Sequence, residues 1–429
     1  MPSLPTLADH PLRYALTNEL HARPFPTIPV PGTAVYLAVM PAERASSRDR
    51  DADFAHLTAL LDRHGVAHPP PGATHYFGRI GRHMLKWESH SEFVTYTAFA
   101  DGVSQRPFDP VDFEVFPADW LATAPGTRIT SALMRIEPMK PTEELSQHLN
   151  DWFVPESLAA SAVLDHAAVV ASDFRIDPAG HLRVAAFVEP GTGTRRVGRI
   201  VQRMLEIETY KTTSMLGFAQ VREIGPEMGR IDRLLSSLMA DMRDENKPAD
   251  QTLAGLLSVA AEIESLGVLT AYRFGATQAY ETIVQQRIEV LREERFDGRQ
   301  TFGEFMIRRY DPAMRTVKAA ERRLAAMSDR AIRAGELLRT RVDVERSAQN
   351  QKLLESMDQR ADLQLQLQKT VEGLSVVAIS YYAISISSYL LYPLAPLLGL
   401  SKGQLMAAVT LPVVIGVWWA VRRIRENLH

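Results

Sequence analysis

Two uncharged apolar runs close to the C-terminus constrain this 429-residue chain more than any other feature. Leu374 to Leu391 and Leu405 to Val421 contain no Asp, Glu, Lys or Arg. At roughly 17–18 residues each, they reach the lower limit for crossing a hydrocarbon core. Tyr392 to Gln404 lies between them with two prolines, two glycines and one lysine, the composition of a short turn. The spacing predicts a C-terminal two-helix transmembrane hairpin over 370–429. A soluble helical hairpin is the competing reading. Basic flanks weigh against it, because uncharged spans bracketed by Lys and Arg are a membrane pattern.

Those flanks also predict orientation. Arg360 and Lys369 precede the first run, Arg422, Arg423 and Arg425 follow the second, and the connection carries only Lys402. Lys and Arg accumulate on the cytoplasmic side, so both termini are expected there. The N-terminus has neither a basic region nor an apolar stretch, so no secretory signal is read. The expected location is a bacterial cytoplasmic (inner) membrane, with the lipid bilayer as a partner. A net charge of −3 argues against a nucleic-acid partner, and the absence of cysteine excludes disulfides and thiolate chemistry.

Between Pro312 and Pro393 there is no proline, and Ala, Leu, Arg, Glu and Gln dominate. A helix on the order of 100 Å is predicted there, with Pro312 in its first turn. Leu367, Val371, Leu374, Ala378, Tyr381, Ser385, Ser388 and Tyr392 recur at alternating spacings of four and three, a coiled-coil seam suited to a homo-oligomer. Small and hydroxyl residues there serve helix packing. The alternative is a pore lined by Tyr381, Ser385, Ser388 and Tyr392, with Glu372 at its mouth. Residues 308–346 hold eleven bases against six acids, and residues 241–297 eleven acids against six bases. That predicts an antiparallel helix pair around Asp297-Gly298. A basic face on anionic lipid is the competing reading.

Upstream, the periodicity predicts strands at 33–40, 75–80, 83–87, 93–99 and 128–136, and helices at 51–64 and 142–153. Ala162 to Ile176 and His181 to Val188 read as a hairpin around Asp177-Pro-Ala-Gly180, and from Arg195 onward the chain reads as helix. The fold class is therefore an α+β soluble domain (1–190), a long-helix region (191–369) and the hairpin (370–429).

Chemistry-bearing patterns are sparse. Glu88, His90 and Glu92 alternate, so a strand would place them on one face as a metal triplet, or simply as a solvated edge. Thr192, Gly193, Arg195 and Arg196 sit at a strand-to-helix junction where backbone amides and guanidiniums attract an anion; a helix cap explains them equally well. Gly399-Leu-Ser-Lys-Gly403 matches a hydrolase elbow in letters, but it joins two apolar runs instead of a strand and a helix. Asn18-Glu-Leu-His-Ala-Arg-Pro24 is dense in polar side chains, and Glu208-Thr-Tyr-Lys-Thr-Thr-Ser214 is read as interrupting a helical stretch with hydroxyls; either suits lining a cleft or bracing a domain. No catalytic set and no cofactor fingerprint is read.

Asn18-Glu-Leu-His-Ala-Arg-Pro24, Lys86-Trp-Glu-Ser-His-Ser-Glu-Phe93 and Thr370-Val-Glu-Gly-Leu-Ser-Val-Val377 resemble an uncharacterised bacterial family of predicted membrane-anchored proteins. That resemblance covers almost the whole chain and implies topology but no catalytic residues. In layout, the long helix running into a first span, the short loop, the second span and the basic tail are similar to the CorA magnesium-transporter family. Its pentamers line a pore with the first span, which ends in Gly-Met-Asn. This chain has Leu391-Tyr-Pro-Leu-Ala-Pro396 there, and its loop lacks acidic residues.

Overall fold

The computed structural model describes residues 7, 9–19, 25–41, 48–244, 247–394 and 401–426. Its centre is a nine-stranded sheet made of β1 (Gly32–Met40), β2 (His75–Ile80), β3 (His83–Ser89), β4 (Val94–Asp101), β5 (Thr127–Pro138), β6 (Ala159–Val163), β7 (Ala168–Ser172), β8 (Leu182–Val188) and the two-residue β9 (Glu294–Arg295). The strand order is β2-β3-β4-β1-β5-β8-β7-β6-β9. β5 and β8 pair in parallel, and the remaining ladders are antiparallel.

Strand alternation sends side chains to two covered faces. Val35, Leu37, Leu85, Trp87, Val94 and Tyr96 pack with α2 (Arg50–Arg63), the short α3 (Ala118–Leu121) and α4 (Thr142–Trp152). Ala34, Tyr36, Ala38, Ala132 and Met134 face the opposite way. They share a core with α5 (Thr194–Asp241), with the ends of α6 (Ala249–Glu289) and α7 (Phe302–Arg309), and with the start of α8 (Asp311–Leu391). This second core joins sheet and helices, so residue 190 does not separate compact units. The chain divides into Met1–Arg243 with Ala254–Ala334, and Asp244–Leu253 with Gly335–His429.

Within the first unit, α6 and α8 run antiparallel, with Gln278 contacting Glu321 and Lys318 Nζ 2.7 Å from Glu281. The expected connection is there: Asp297 and Gly298 adopt φ of 48° and 68°. The charge complementarity extends to α5, since Asp232 meets both Arg323 and Arg330 at 2.7 Å and Arg230 meets Glu262. α5 needs two close approaches. A Cβ on Gly198 would lie 1.7 Å from the Pro26 carbonyl oxygen, and one on Gly217 would lie 2.2 Å from Thr277 Oγ1.

Two expectations are corrected. Ala162 to Ile176 is not one strand: Leu164, Asp165 and His166 turn through φ of 50°, 56° and 61° between β6 and β7. Glu208 to Ser214 does not interrupt a helix. It lies inside α5, where Thr209, Thr213 and Ser214 return their hydroxyls to helix carbonyls.

The second unit contains the C-terminal stretch of α8 and α9 (Lys402–Glu426). Val377, Tyr381, Ile386, Tyr389, Leu390, Leu411, Ile415, Trp418 and Trp419 are exposed. On α9, Leu405, Val409, Val413, Val417 and Val421 recur every four residues as the more covered stripe. Residues 395–400, on which the expected turn depends, fall outside the described residues. Among the described residues, three helices are long and apolar enough to cross a membrane: α6, α8 and α9. The apolar window of α6 is 22% buried, against 6% for each of the other two. Its Glu262 is engaged with Arg230, so α6 is accounted for by the helical layer of the first unit.

Candidate functional site

The sheet face toward α5 carries a polar patch where an apolar one would pack more simply. Tyr36 on β1, Lys86 and Glu88 on β3, and Thr95 and Thr97 on β4 all point that way and are buried. α5 answers with Gln202, Glu206, Thr209 and Tyr210, whose spacing puts them on one helix face. Together they enclose a chamber of about 30 Å³, room for one or two water molecules.

The chamber's polar groups are mutually satisfied. Lys86 Nζ donates to Gln202 Oε1 at 2.9 Å and lies 3.1 Å from Glu88. Gln202 Nε2 donates to Glu206 Oε1 at 2.7 Å, and Glu206 pairs with Arg287. Thr209 gives its proton to the Leu205 carbonyl, so the Tyr36 hydroxyl must be the donor in the 2.5 Å bond between them. Burial raises the Tyr36 phenol well above its ordinary range, which keeps that donor protonated.

His90, Phe93 and Tyr210 border both this chamber and an open cleft of about 500 Å³, completed by Arg50, Thr74, Ser89, Ser91, Tyr280 and Ile283. The wall is aromatic. His90 stacks on Phe93 at 4.6 Å, and Tyr210 lies 5.9 Å from Phe93 and 5.3 Å from Tyr280. The turn carrying His90 is clamped from both sides. Arg48 donates to the carbonyls of His90 (2.7 Å) and Phe93 (2.6 Å) and pairs with Asp53 at 2.7 Å. Glu92 is held by Arg273 and by the Tyr280 hydroxyl. A fixed aromatic wall above a polar floor suits a ligand with a flat or apolar body and a hydrogen-bonding end.

The structure separates the proposed metal triplet. β3 ends at Ser89, so strand alternation does not extend through His90 and Glu92. Glu88 faces Lys86 in the chamber, His90 forms the aromatic wall, and Glu92 is buried against α6. Among the described residues no group of three His, Asp or Glu could hold a metal ion. At the anion candidate, Gly193 caps α5 without a side-chain hydrogen bond and Arg195 is exposed. Thr192 donates to the Ala167 carbonyl (3.2 Å) and Arg196 to the Leu164 carbonyl (2.6 Å). On α8, Glu372 accepts from Gln368 at 3.2 Å, Tyr381 is exposed, and Ser385 and Ser388 are half-buried; Tyr392, just past the end of α8, is exposed. Most of Asn18 to Pro24 lies outside the described residues.

Sequence reasoning overlooked Tyr36, Lys86, Thr95, Thr97, Gln202 and Glu206. Lys86 with Glu88, and Thr95 with Thr97, are a visible alternation. It passes for a solvated strand face until helices are known to cover both faces of the sheet.

No curated protein and no solved structure matches this chain. A family model described as "Protein of unknown function (DUF3422)" matches residues 8–428, nearly the whole length, and the chain belongs to that family.

Proposed function

We propose that this protein is a membrane-tethered binding protein. Its aromatic-walled cleft takes a small ligand on the cytoplasmic side, while the end of α8 together with α9 forms a transmembrane hairpin. The observation that carries this reading is the exposure of those two helices. Burying a Leu, Ile, Val or Phe side chain is worth about 1.5–3 kcal/mol, so two exposed apolar helices call for a non-aqueous surround. Arg422 lies 5.3 Å from the Trp418 ring and Arg423 5.0 Å from the Trp419 ring, the pairing expected at a headgroup interface.

The chain lacks cysteine, so single-cysteine labelling tests both tether and orientation. In intact spheroplasts, a membrane-impermeant maleimide should label Lys402→Cys, and should label Arg422→Cys only after permeabilisation. Equal labelling of both without permeabilisation would refute the hairpin.

A second reading, a CorA-like homo-oligomer passing ions, is favoured by one observation. Leu367, Val371, Leu374, Tyr381 and Tyr392 of the four-three seam are exposed in the single chain and free to meet other copies. Two spans cannot enclose a water-filled path, so this reading requires several chains around an axis. Native mass spectrometry showing a monomer or dimer in nanodiscs would exclude it.

A further inference from the structure

A second pocket, of about 790 Å³, is lined by Leu164, Arg196, Arg199, Arg203, Glu289, Val290 and Arg292. It shares no lining residue with the chamber or the aromatic cleft. We propose that this arginine-lined pocket binds a phosphate-bearing ligand, with Arg199 and Arg203 as its principal contacts.

Spacing builds the cluster. Arg196, Arg199 and Arg203 are three and four residues apart, so one face of α5 presents all three, and Arg292 arrives just beyond α6. Their carboxylate partners are too few. Asp165 is shared between Arg292 at 2.8 Å and Arg196 at 3.6 Å, and Glu289 is the one acid in the lining. The nearby Glu206 is taken by Arg287. Arg203 is half-buried, and its bond is to the Val290 carbonyl at 3.3 Å. Arg199 is also half-buried and has no ion pair or hydrogen bond among the described residues.

Four guanidiniums therefore face two carboxylates, leaving an excess that fits a doubly charged anion. Burial, then the like charges of Arg199, Arg287 and Arg292, pull Arg203 below the usual arginine range against the opposing pull of Glu206. Guanidinium forks match phosphate oxygens bidentately, and partial burial strengthens such contacts over those at a flat surface. The anion site expected at the start of α5 thus moves along the helix. The Thr192 hydroxyl and the Arg196 guanidinium are committed to carbonyls of the β6–β7 turn, and the charge without a carboxylate partner sits at Arg199 and Arg203.

The same chemistry describes a soluble phosphate ester or a phospholipid headgroup, and the test has an arm for each. Isothermal titration of the full chain in maltoside micelles would use inorganic pyrophosphate and, separately, dihexanoyl phosphatidic acid below its micellar concentration. Saturable binding is expected, weakened at least tenfold in Arg199→Gln/Arg203→Gln and unchanged in Arg79→Gln, which lies outside this lining. Preference for pyrophosphate assigns the soluble source, and preference for phosphatidic acid assigns the lipid. No saturable binding of either probe, or undiminished binding by the double variant, would overturn the proposal. A second readout guards against misfolding. In anion-free buffer the double variant should melt no lower than the parent, because like charges have been removed. A lower melting temperature would mark the arginines as structural braces and also overturn it.

Discussion

Arg273 grips both carboxylate oxygens of Glu92, Nη2 to Oε1 at 2.6 Å and Nη1 to Oε2 at 3.1 Å, across 181 positions of sequence. Glu92 is 1% exposed, and the Tyr280 hydroxyl donates to the same Oε2 at 2.5 Å. This contact docks α6 on the turn that carries His90, and so sets the width of the aromatic cleft.

Arg273→Ala would leave that carboxylate buried with the Tyr280 and Tyr272 phenols as neutral partners and no counter-charge, a change that costs about 3–5 kcal/mol when a buried pair is broken from one side. Adding Glu92→Gln should recover part of the loss by removing the unpaired charge. Thermal unfolding of the full-length variants in detergent checks this. An Arg273→Ala chain as stable as the parent would show that the pair does not hold the turn.

The segment before β1 rests on α5 through Ile28, whose amide donates to the Thr194 carbonyl at 3.2 Å, and through the Gly198 contact with Pro26. Gly198→Ala puts a methyl into a backbone oxygen that cannot rotate away. Overpacking of this kind costs about 1–3 kcal/mol. Faster proteolysis near Phe25 should accompany the loss of stability, and an unchanged digestion pattern would contradict the contact.

His56 predicts acid sensitivity. Its Nε2 lies 3.1 Å from the Trp120 carbonyl and must donate, so Nδ1 accepts from the Tyr96 hydroxyl at 2.9 Å. That is the neutral ring, and burial lowers its pKa from 6.5. His83 and His181 are lowered for the same cause. The unfolded chain therefore binds protons that the folded chain refuses. Stability holds above about pH 6.5 and declines as pH falls through the unfolded value toward the folded ones. Burial raises the Asp53 and Glu293 carboxyls, which act in the opposite direction nearer the carboxylate range. The comparison with His56→Phe isolates the histidine. Its melting temperature should fall less steeply between about pH 7 and about pH 5.5, and a parallel slope would contradict the assignment.

Elements with strong periodicity were legible in the sequence. β1, α2, β2 to β5 and α4 lie within a few residues of the spans that alternation and helical spacing predict. The β6–β7 turn was hidden because Leu164, Asp165 and His166 take left-handed conformations without the glycine or proline that usually marks a turn. The third apolar helix escaped because Glu262 and Glu264 divide its run, and one of them is answered by Arg230 from α5. The candidate site was the least legible part. His90 and Glu92 were read as a continuation of β3, whereas Arg48 and Arg273 hold them in a turn. Lys86 and Thr97 declare themselves only when α5 is seen to cover them. The Arg199–Arg203 pair needed the fold as well, since the chain segment that brings Arg292 beside it lies far away in sequence.

The central claim is that the end of α8 and α9 hold the chain in a bilayer. Alkaline carbonate extraction of membranes from cells making the unaltered full-length protein tests it most directly. The account predicts that the chain stays in the pellet and is released by a mild detergent. Recovery as a monodisperse soluble species in carbonate, without detergent, would contradict it.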